Sequence, residues 1–267
     1  MADRSKLEMK GISKSFGHVQ ALDNVNLSLN EGEVLGLIGD NGAGKSTLVK
    51  ILSGVYQADK GEIYLNGEQI HINKPKDAFA HGIRMVYQDL LLCGHIDVAG
   101  NIFLGRELVK DKAAGVLQTM DQSEMVEKSR EFLEELGINL PSYDTQVRNL
   151  SGGQQQAVAI SRVLWGDPDI VIMDEPVANL GVERKKEVLN LILKLKERSI
   201  GTIVIDHSFE NIFTVADRVL VLREGKKVGV KLIEETDPDE LTQLMVGAEI
   251  ADAVSEAVKS RKAQEER

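Results

Sequence analysis

Between Gly39 and Ser46 the chain reads GDNGAGKS. Gly39, Gly42 and Gly44 let backbone N–H groups turn inward toward phosphate oxygens, where side chains would block them. Lys45 then offers a point charge to β- and γ-phosphates, and Ser46 offers a hydroxyl to Mg²⁺. A helix starting near Lys45 adds its positive end. Far downstream, the apolar run Ile170 to Met173 closes on Asp174-Glu175. Asp174 stands where an aspartate would hold the metal through water, and Glu175 is a candidate base for the attacking water. An acidic pair at a strand end is commonplace alone. Joined to the phosphate loop, it describes hydrolysis of a nucleoside triphosphate.

A second phosphate-shaped element lies between these two. Ser151-Gly152-Gly153 opens a helix expected over Gln154 to Leu164, stopped by Gly166 and Pro168. Small residues at a helix start leave its N–H groups open to an anion, although a serine there is also an ordinary N-cap. One nucleotide is already served by the first loop. The second helix end is therefore idle inside one chain, and useful if it closes over a nucleotide held by another.

The elements that position these groups follow from periodicity. Leu7, Met9 and Ile12, then Val25, Leu27 and Leu29, mark half-buried antiparallel strands. Residues 34–38 are continuously apolar, as in a strand buried on both faces. Thr47 to Leu52 reads as a helix, and Glu62 to Leu65 as a strand ended by the turn signal Asn66-Gly67. From about Gln88 to Trp165 the pattern is helical, with Met125, Val126, Phe132, Leu133 and Leu136 on one face and Gly137 as a stop. Val188, Leu191, Ile192 and Leu195 mark an amphipathic helix between buried strands at 170–173 and 202–205, and Val219 to Leu222 is a further strand. Strands alternating with helices imply a parallel sheet.

Composition narrows the classes. Forty-two acidic against 32 basic residues give a net charge of −10, which disfavours a nucleic-acid groove. The single cysteine, Cys93, excludes an internal disulfide and a cysteine metal cage. The five histidines are scattered, without zinc-ligand spacing. The N-terminus lacks the apolar core of a signal peptide, and no apolar run approaches the ~20 residues of a membrane helix. These features predict a soluble chain whose membrane role comes through a partner.

Phosphate loop, Leu150-Ser151-Gly152-Gly153-Gln154 (LSGGQ) and the strand ending in Asp174-Glu175, in that order, resemble the ATP-binding cassette (ABC) family over about residues 6–250. The resemblance implies an α/β fold: a P-loop NTPase core with a mostly parallel sheet, an N-terminal antiparallel β subdomain and an inserted α-helical subdomain. It implies one ABC ATPase domain over residues 5–250, with the helical insert at about 89–165 and a charged tail at 251–267. It also implies ATP and Mg²⁺ as ligands, with Asp40, Asn41, Ala43 and Thr47 completing the loop around the phosphates. Phe16, in KSFG, is similar to the aromatic that stacks on adenine. Gln88, in VYQD, is similar to the glutamine that contacts Mg²⁺ and links the two lobes. His207, after TIVID, is similar to the histidine that touches the γ-phosphate. By the same resemblance, Ser151 to Gln154 serve the ATP of a second cassette. Two positions depart from the pattern: in PVANLG, Val177 stands where many ABC ATPases have threonine, and Gly181 where they have an aspartate that helps the cassettes communicate.

Fused exporters carry membrane helices, chromosome-type members carry far longer inserts, and translation-type members carry two cassettes. A stand-alone transport subunit fits this chain best among these. LIGDNGAGKSTLVKILSGVY, IRMVYQDLLLC and NIFLGRE resemble the ATPases of bacterial importers for ribose-, galactose- and fructose-type sugars. The implied partners are a second cassette chain, giving a homodimer, integral membrane permease subunits and, indirectly, a sugar-binding protein outside the membrane. The implied location is the cytoplasmic face of the membrane. A regulatory or nucleic-acid-associated ABC ATPase is the alternative. The apolar segment at 89–104, LLLCGHIDVAGNIFLG, just after Gln88, is expected to form a permease-docking surface; simple packing of the helical lobe would instead bury it throughout.

Overall fold

The computed structural model describes residues 5–110, 119–178 and 180–247. The expected tail at 251–267 and Asn179 lie outside the described residues. Strands β1 (Ser5–Phe16) and β2 (Val19–Asn30) form an antiparallel hairpin. The six apolar residues expected to face inward along it are all buried. With β4 (Lys60–Leu65) and β5 (Glu68–Ile70) they make a four-stranded antiparallel sheet of order β2-β1-β4-β5. Asn66 and Gly67 both take left-handed φ, 53° and 84°, as the turn between β4 and β5 requires.

The second sheet contains β3 (Val34–Gly39), β6 (Ile83–Val86), β7 (Ile170–Asp174), β8 (Gly201–Ile205), β9 (Arg218–Arg223) and β10 (Lys226–Leu232) in the order β10-β9-β3-β8-β7-β6. All neighbours are parallel except β10, which returns antiparallel to β9. Strand alternation sorts β3 between two cores. Leu35 and Leu37 face the antiparallel sheet and helix α1 (Lys45–Leu52). Val34 and Ile38 face the opposite layer, built from α5 (Gly152–Leu164), α6 (Val182–Glu197) and α7 (Phe209–Val215). The expected face of α6, with Val188, Leu191, Ile192 and Leu195, is buried there.

A third core fills the inserted lobe. It joins α3 (Val98–Ile102), α4 (Gln122–Glu135) and one side of α5 through Val98, Ile102, Phe103, Met125, Leu133 and Val158. Trp165 closes it, with ring centroids 4.5 Å from Phe103 and 5.2 Å from Phe132. The lobe is less helical than its sequence pattern suggests. Residues 88–97 and 136–151 contain no α-helix, and only a 3-10 turn, Val147–Asn149, interrupts the latter. Here the apolar residues pack from loops, which carry no helical period. Buried Asn101 holds one of these loops: its side chain accepts from Cys93 N at 2.8 Å and donates to the carbonyls of Cys93, Ile96 and Asp97. The short helix α2 (Pro75–Ala80) and strand β6 precede the lobe, and α8 (Pro238–Val246) packs back on β9 and β10. Among the described residues no helix is long and apolar enough to cross a membrane.

Candidate functional site at the ends of the parallel strands

The order β3-β8-β7-β6 sets four chain exits side by side at the carboxyl edge of the sheet, the usual ligand crevice of an open α/β fold. β3 leads into the phosphate loop, β8 into His207, β7 into Asp174-Glu175 and β6 into Gln88. Residues that no sequence pattern relates directly thus end adjacent strands, about 5 Å apart.

The loop from Gly39 to Lys45 needs its glycines for two reasons. A side chain at Gly39 would collide with the Leu222 carbonyl on β9. Gly44 has φ 102°, and a Cβ there would lie 2.7 Å from both the Ala21 carbonyl and Leu22 Cδ2. The β1–β2 hairpin therefore presses on the loop from outside. Lys45 is buried, with Nζ donating to the carbonyls of Gly39 at 2.7 Å and Asp40 at 3.1 Å. Burial pulls its pKa down, against the raising influence of Asp174, Asp40 and Glu175. An ammonium held in this way beside exposed backbone fits a polyanion. The cleft it faces, about 270 Å³, is lined by Asn41 to Thr47 with Asp174, Glu175 and His207.

Glu175 adopts φ 50°, the left-handed region that favours glycine, while its N–H donates to Ile205 O at 2.9 Å. One carboxylate oxygen, Oε2, accepts from Gln88 Nε2 at 3.1 Å. The other, Oε1, lies 2.7 Å from His207 Nε2. Asp206 braces the turn that carries His207: it accepts from Ser208 N at 2.8 Å and from Asn211 Nδ2 at 2.9 Å. Asp174 is held above the ordinary carboxylate range, first by burial and then by the neighbouring Glu175 charge, with Lys50, Lys45 and His207 opposing. Among the described residues no cluster of three or more His, Cys, Asp or Glu could cage a metal. The donor set present, a serine hydroxyl, one aspartate and a glutamine amide, suits Mg²⁺ held jointly with phosphate oxygens.

Two groups singled out in the sequence stand apart from this cluster. Phe16 is 42% exposed at the end of β1, with Tyr56 set edge-on at 5.1 Å and Lys14 Nζ 5.5 Å from its ring centroid. It is an open aromatic face on the hairpin that presses on the phosphate loop. Ser151, Gly152, Gly153 and Gln154 do not line the nucleotide cleft of their own chain. Ser151 caps α5 in a reciprocal box: its Oγ accepts from Gln154 N at 3.4 Å, while its N–H donates to Gln154 Oε1 at 2.9 Å. A larger cavity, about 560 Å³, lies between Gly153, Gln154 and α6, and holds none of Lys45, Asp174, Glu175 or His207.

Sequence reasoning passed over Ala21, Lys50, Tyr56, Asp206 and Asn211, which brace or line the site without any motif of their own. It also passed over three arginines, Arg84, Arg106 and Arg162, which share a groove near Gln88. Residues 89–104 are neither wholly buried nor wholly open. Val98, Ala99, Ile102 and Phe103 are core, whereas Leu91 is 59% and Leu104 41% exposed.

A phosphate loop, an acidic strand end and a detached LSGGQ helix on this topology define an ATP-binding cassette. The family model described as ABC transporter matches residues 22–178, and the chain belongs to that family of ATP-binding, ATP-hydrolysing cassettes. It is 42% identical over 239 residues to the xylose/arabinose import ATP-binding protein XylG of Sulfolobus acidocaldarius, covering 90% of this chain and 93% of that protein. It is 43% identical to the ribose import ATP-binding protein RbsA of Caldanaerobacter subterraneus, covering 91% of this chain but only 48% of that protein, so it spans about half that relative's length. The fold matches a crystal structure of a nucleotide-free ATP-binding cassette from an ABC transporter with a TM-score of 0.77 at 28% identity, over 91% of this chain and 99% of the other.

Proposed function

We propose that this chain is the energy-coupling ATPase of an importer for a monosaccharide, working as a homodimer at the cytoplasmic face of the membrane beneath permease subunits that a sugar-binding protein serves. The sugar class rests on the relatives' names and on their identity with this chain across nine-tenths of its length. The proposed cassette spans residues 5–250, with its helical insert at about 89–165. The observation that supports the dimer is spatial: the LSGGQ helix end begins at exposed Ser151 and Gly152 and stands outside the nucleotide cleft of its own chain.

In this reading the backbone of Gly39 to Ser46, with Asp40, Asn41 and Ala43, cradles the phosphates, and Thr47 lies at the start of α1 beside them. Lys45 leaves its two carbonyl acceptors for the β- and γ-phosphates. Phe16 offers its open face to adenine. Ser46, Gln88 and Asp174 would hold Mg²⁺, which supplies positive charge to the phosphate oxygens. Glu175 takes the proton of the attacking water, and His207 contacts the γ-phosphate. Both oxygens of Glu175 are engaged, one by Gln88 and one by His207. Each keeps a further lone pair for the attacking water, and the Gln88 contact ties the base to the loop that leads into the lobe.

Glu175→Gln tests the composite site. The amide keeps the size and one of the two acceptor oxygens but cannot take up the proton, so turnover should fall by about 10²–10⁴-fold while a dimer accumulates in millimolar ATP and Mg²⁺. Sedimentation of that variant showing monomer alone would refute the two-chain site. Permease pairing is tested separately, by co-purification with the cognate permease from membranes.

A further inference from the structure

The His207 side chain is 53% exposed where it meets Glu175, so packing alone does not fix its ring. What fixes it lies one layer beneath. Its chain neighbours are Asp206 and Ser208, and the Ser208 N–H donates to Asp206 Oδ1 at 2.8 Å. The other carboxylate oxygen, Oδ2, accepts from Asn211 Nδ2 at 2.9 Å. Both partners of this second bond are buried. Asn211 stands in the first turn of α7, next to fully buried Ile212. Ile212 packs closely on β3: a Cβ at Gly36 would lie 2.9 Å from Ile212 Cγ2. β3 leads directly into the phosphate loop. Asn211 thus ties the turn that carries His207 to the strand that carries the loop.

Helix capping alone does not explain this pair. An ionised carboxylate only accepts, so the amide must turn its NH₂ toward Asp206. The amide Oδ1 is then left buried, with no hydrogen-bond partner among the described residues, a costly arrangement for a polar atom. A simple cap for α7 was at hand in Ser208, its N-cap residue, yet the Ser208 side chain makes no capping bond. The bonds made instead fix the backbone on both sides of His207. We infer that Asn211 is a positioning residue for ATP hydrolysis, acting through Asp206 to hold His207 at Glu175 and in reach of the γ-phosphate. The inference rests on the roles given above to His207 and Glu175 and adds the residues that set their geometry. A reacting constellation displaced by about 1 Å loses up to about 100-fold in rate. Nucleotide affinity, which the phosphate loop supplies, should change little.

The test measures ATP affinity, hydrolysis and Tm of the purified full chain. His207→Ala is the control: hydrolysis at the wild-type rate would defeat the role of His207 itself. Given a loss there, Asn211→Asp, which sets two carboxylates face to face, should lower kcat by about 10–100-fold, with ATP Kd within about twofold of wild type. Adding Asp206→Asn should restore kcat. Amide and carboxylate then trade places, and the Ser208 N–H keeps an acceptor. Asn211→Leu, of similar size, removes the donor and should lower kcat by about tenfold. In the His207→Ala chain it should add nothing, read in single turnovers with enzyme in excess. Wild-type kcat in either Asn211 variant overturns the inference. So does a double variant whose kcat stays low, whatever its Tm. An equal loss from Asn211→Leu with and without His207 also overturns it, since the pair then serves α7 alone. If Asn211→Asp fails to fold, the double variant and Asn211→Leu decide.

Discussion

The two helices to which the proposed function gives phosphate-binding N-termini, α1 and α5, are built in opposite ways. α1 begins after Gly44, at φ 102°, with no side-chain cap, a buried lysine in its first turn and the strand edge of the sheet beneath it. Its donors are left open by the backbone itself. α5 begins after Ser151, which caps the helix reciprocally with Gln154. That box engages the N–H groups of Ser151 and Gln154 and leaves those of Gly152 and Gly153 open. α1 opens into a cleft that holds a buried cation, whereas α5 is capped and stands away from that cleft. In the proposed function the first end binds the ATP of its own chain and the second acts on that of another copy.

The largest expected effect separates these two ends. Lys45→Ala should abolish detectable nucleotide binding, because among the described residues no other lysine or arginine lines the cradle. Ser151→Arg should leave ATP affinity near wild type and lower hydrolysis by about a hundredfold or more, the scale of losing a transition-state contact. Equal loss of affinity in both variants, measured by fluorescent-nucleotide titration, would erase the distinction.

A smaller effect probes the charge balance beside α1. Asp174 is raised by burial and by Glu175. For an acid with a raised folded pKa, stability is present below the unfolded value of about 3.9 and is lost as pH rises through the folded value. Asp174→Asn should therefore raise the Tm of the nucleotide-free chain at pH 7, with the gain shrinking as pH falls toward 4.5, while Mg²⁺-dependent hydrolysis is lost. A lower Tm at pH 7 would show that the aspartate is structural.

The smallest effect concerns α5 alone. Ser151→Ala removes the cap and should lower unfolding stability by about 0.5–1 kcal/mol in urea titrations without ATP. The long 3.4 Å bond places it at the low end of cap values. No change in midpoint would mean that Ser151 is free for a ligand even in the single chain.

Several elements were legible because local pattern and burial coincide. The alternation of Leu7, Met9 and Ile12, the buried run from Val34 and the period of α6 each needed one dominant environment. The helical lobe was read too uniformly, because loops such as 88–97 bury apolar residues without any period and are held by side chains distant in sequence pattern, Asn101 and Arg162 among them. The two departures in PVANLG gain a physical meaning from the fold. Val177 is 6% exposed and packs in the second core. Gly181 is the N-cap of α6 and makes no side-chain bond, where an aspartate would have capped.

Sequence by itself determined the reagents: the loop glycines, Lys45, the acidic strand end, the detached LSGGQ and the order in which they occur. Those depend on residue type and local spacing, which a chain carries before it folds. Tertiary structure decided their company. Parallel pairing of β3, β8, β7 and β6 brought Gln88 and His207 onto the two oxygens of Glu175 and forced that residue to a left-handed φ. The same packing gathered Arg84, Arg106 and Arg162 in one groove. Such meetings join residues as distant as Gln88 and Glu175, 87 positions apart, and depend on which strands become neighbours, a choice made by burial over the whole sheet and written in no single motif.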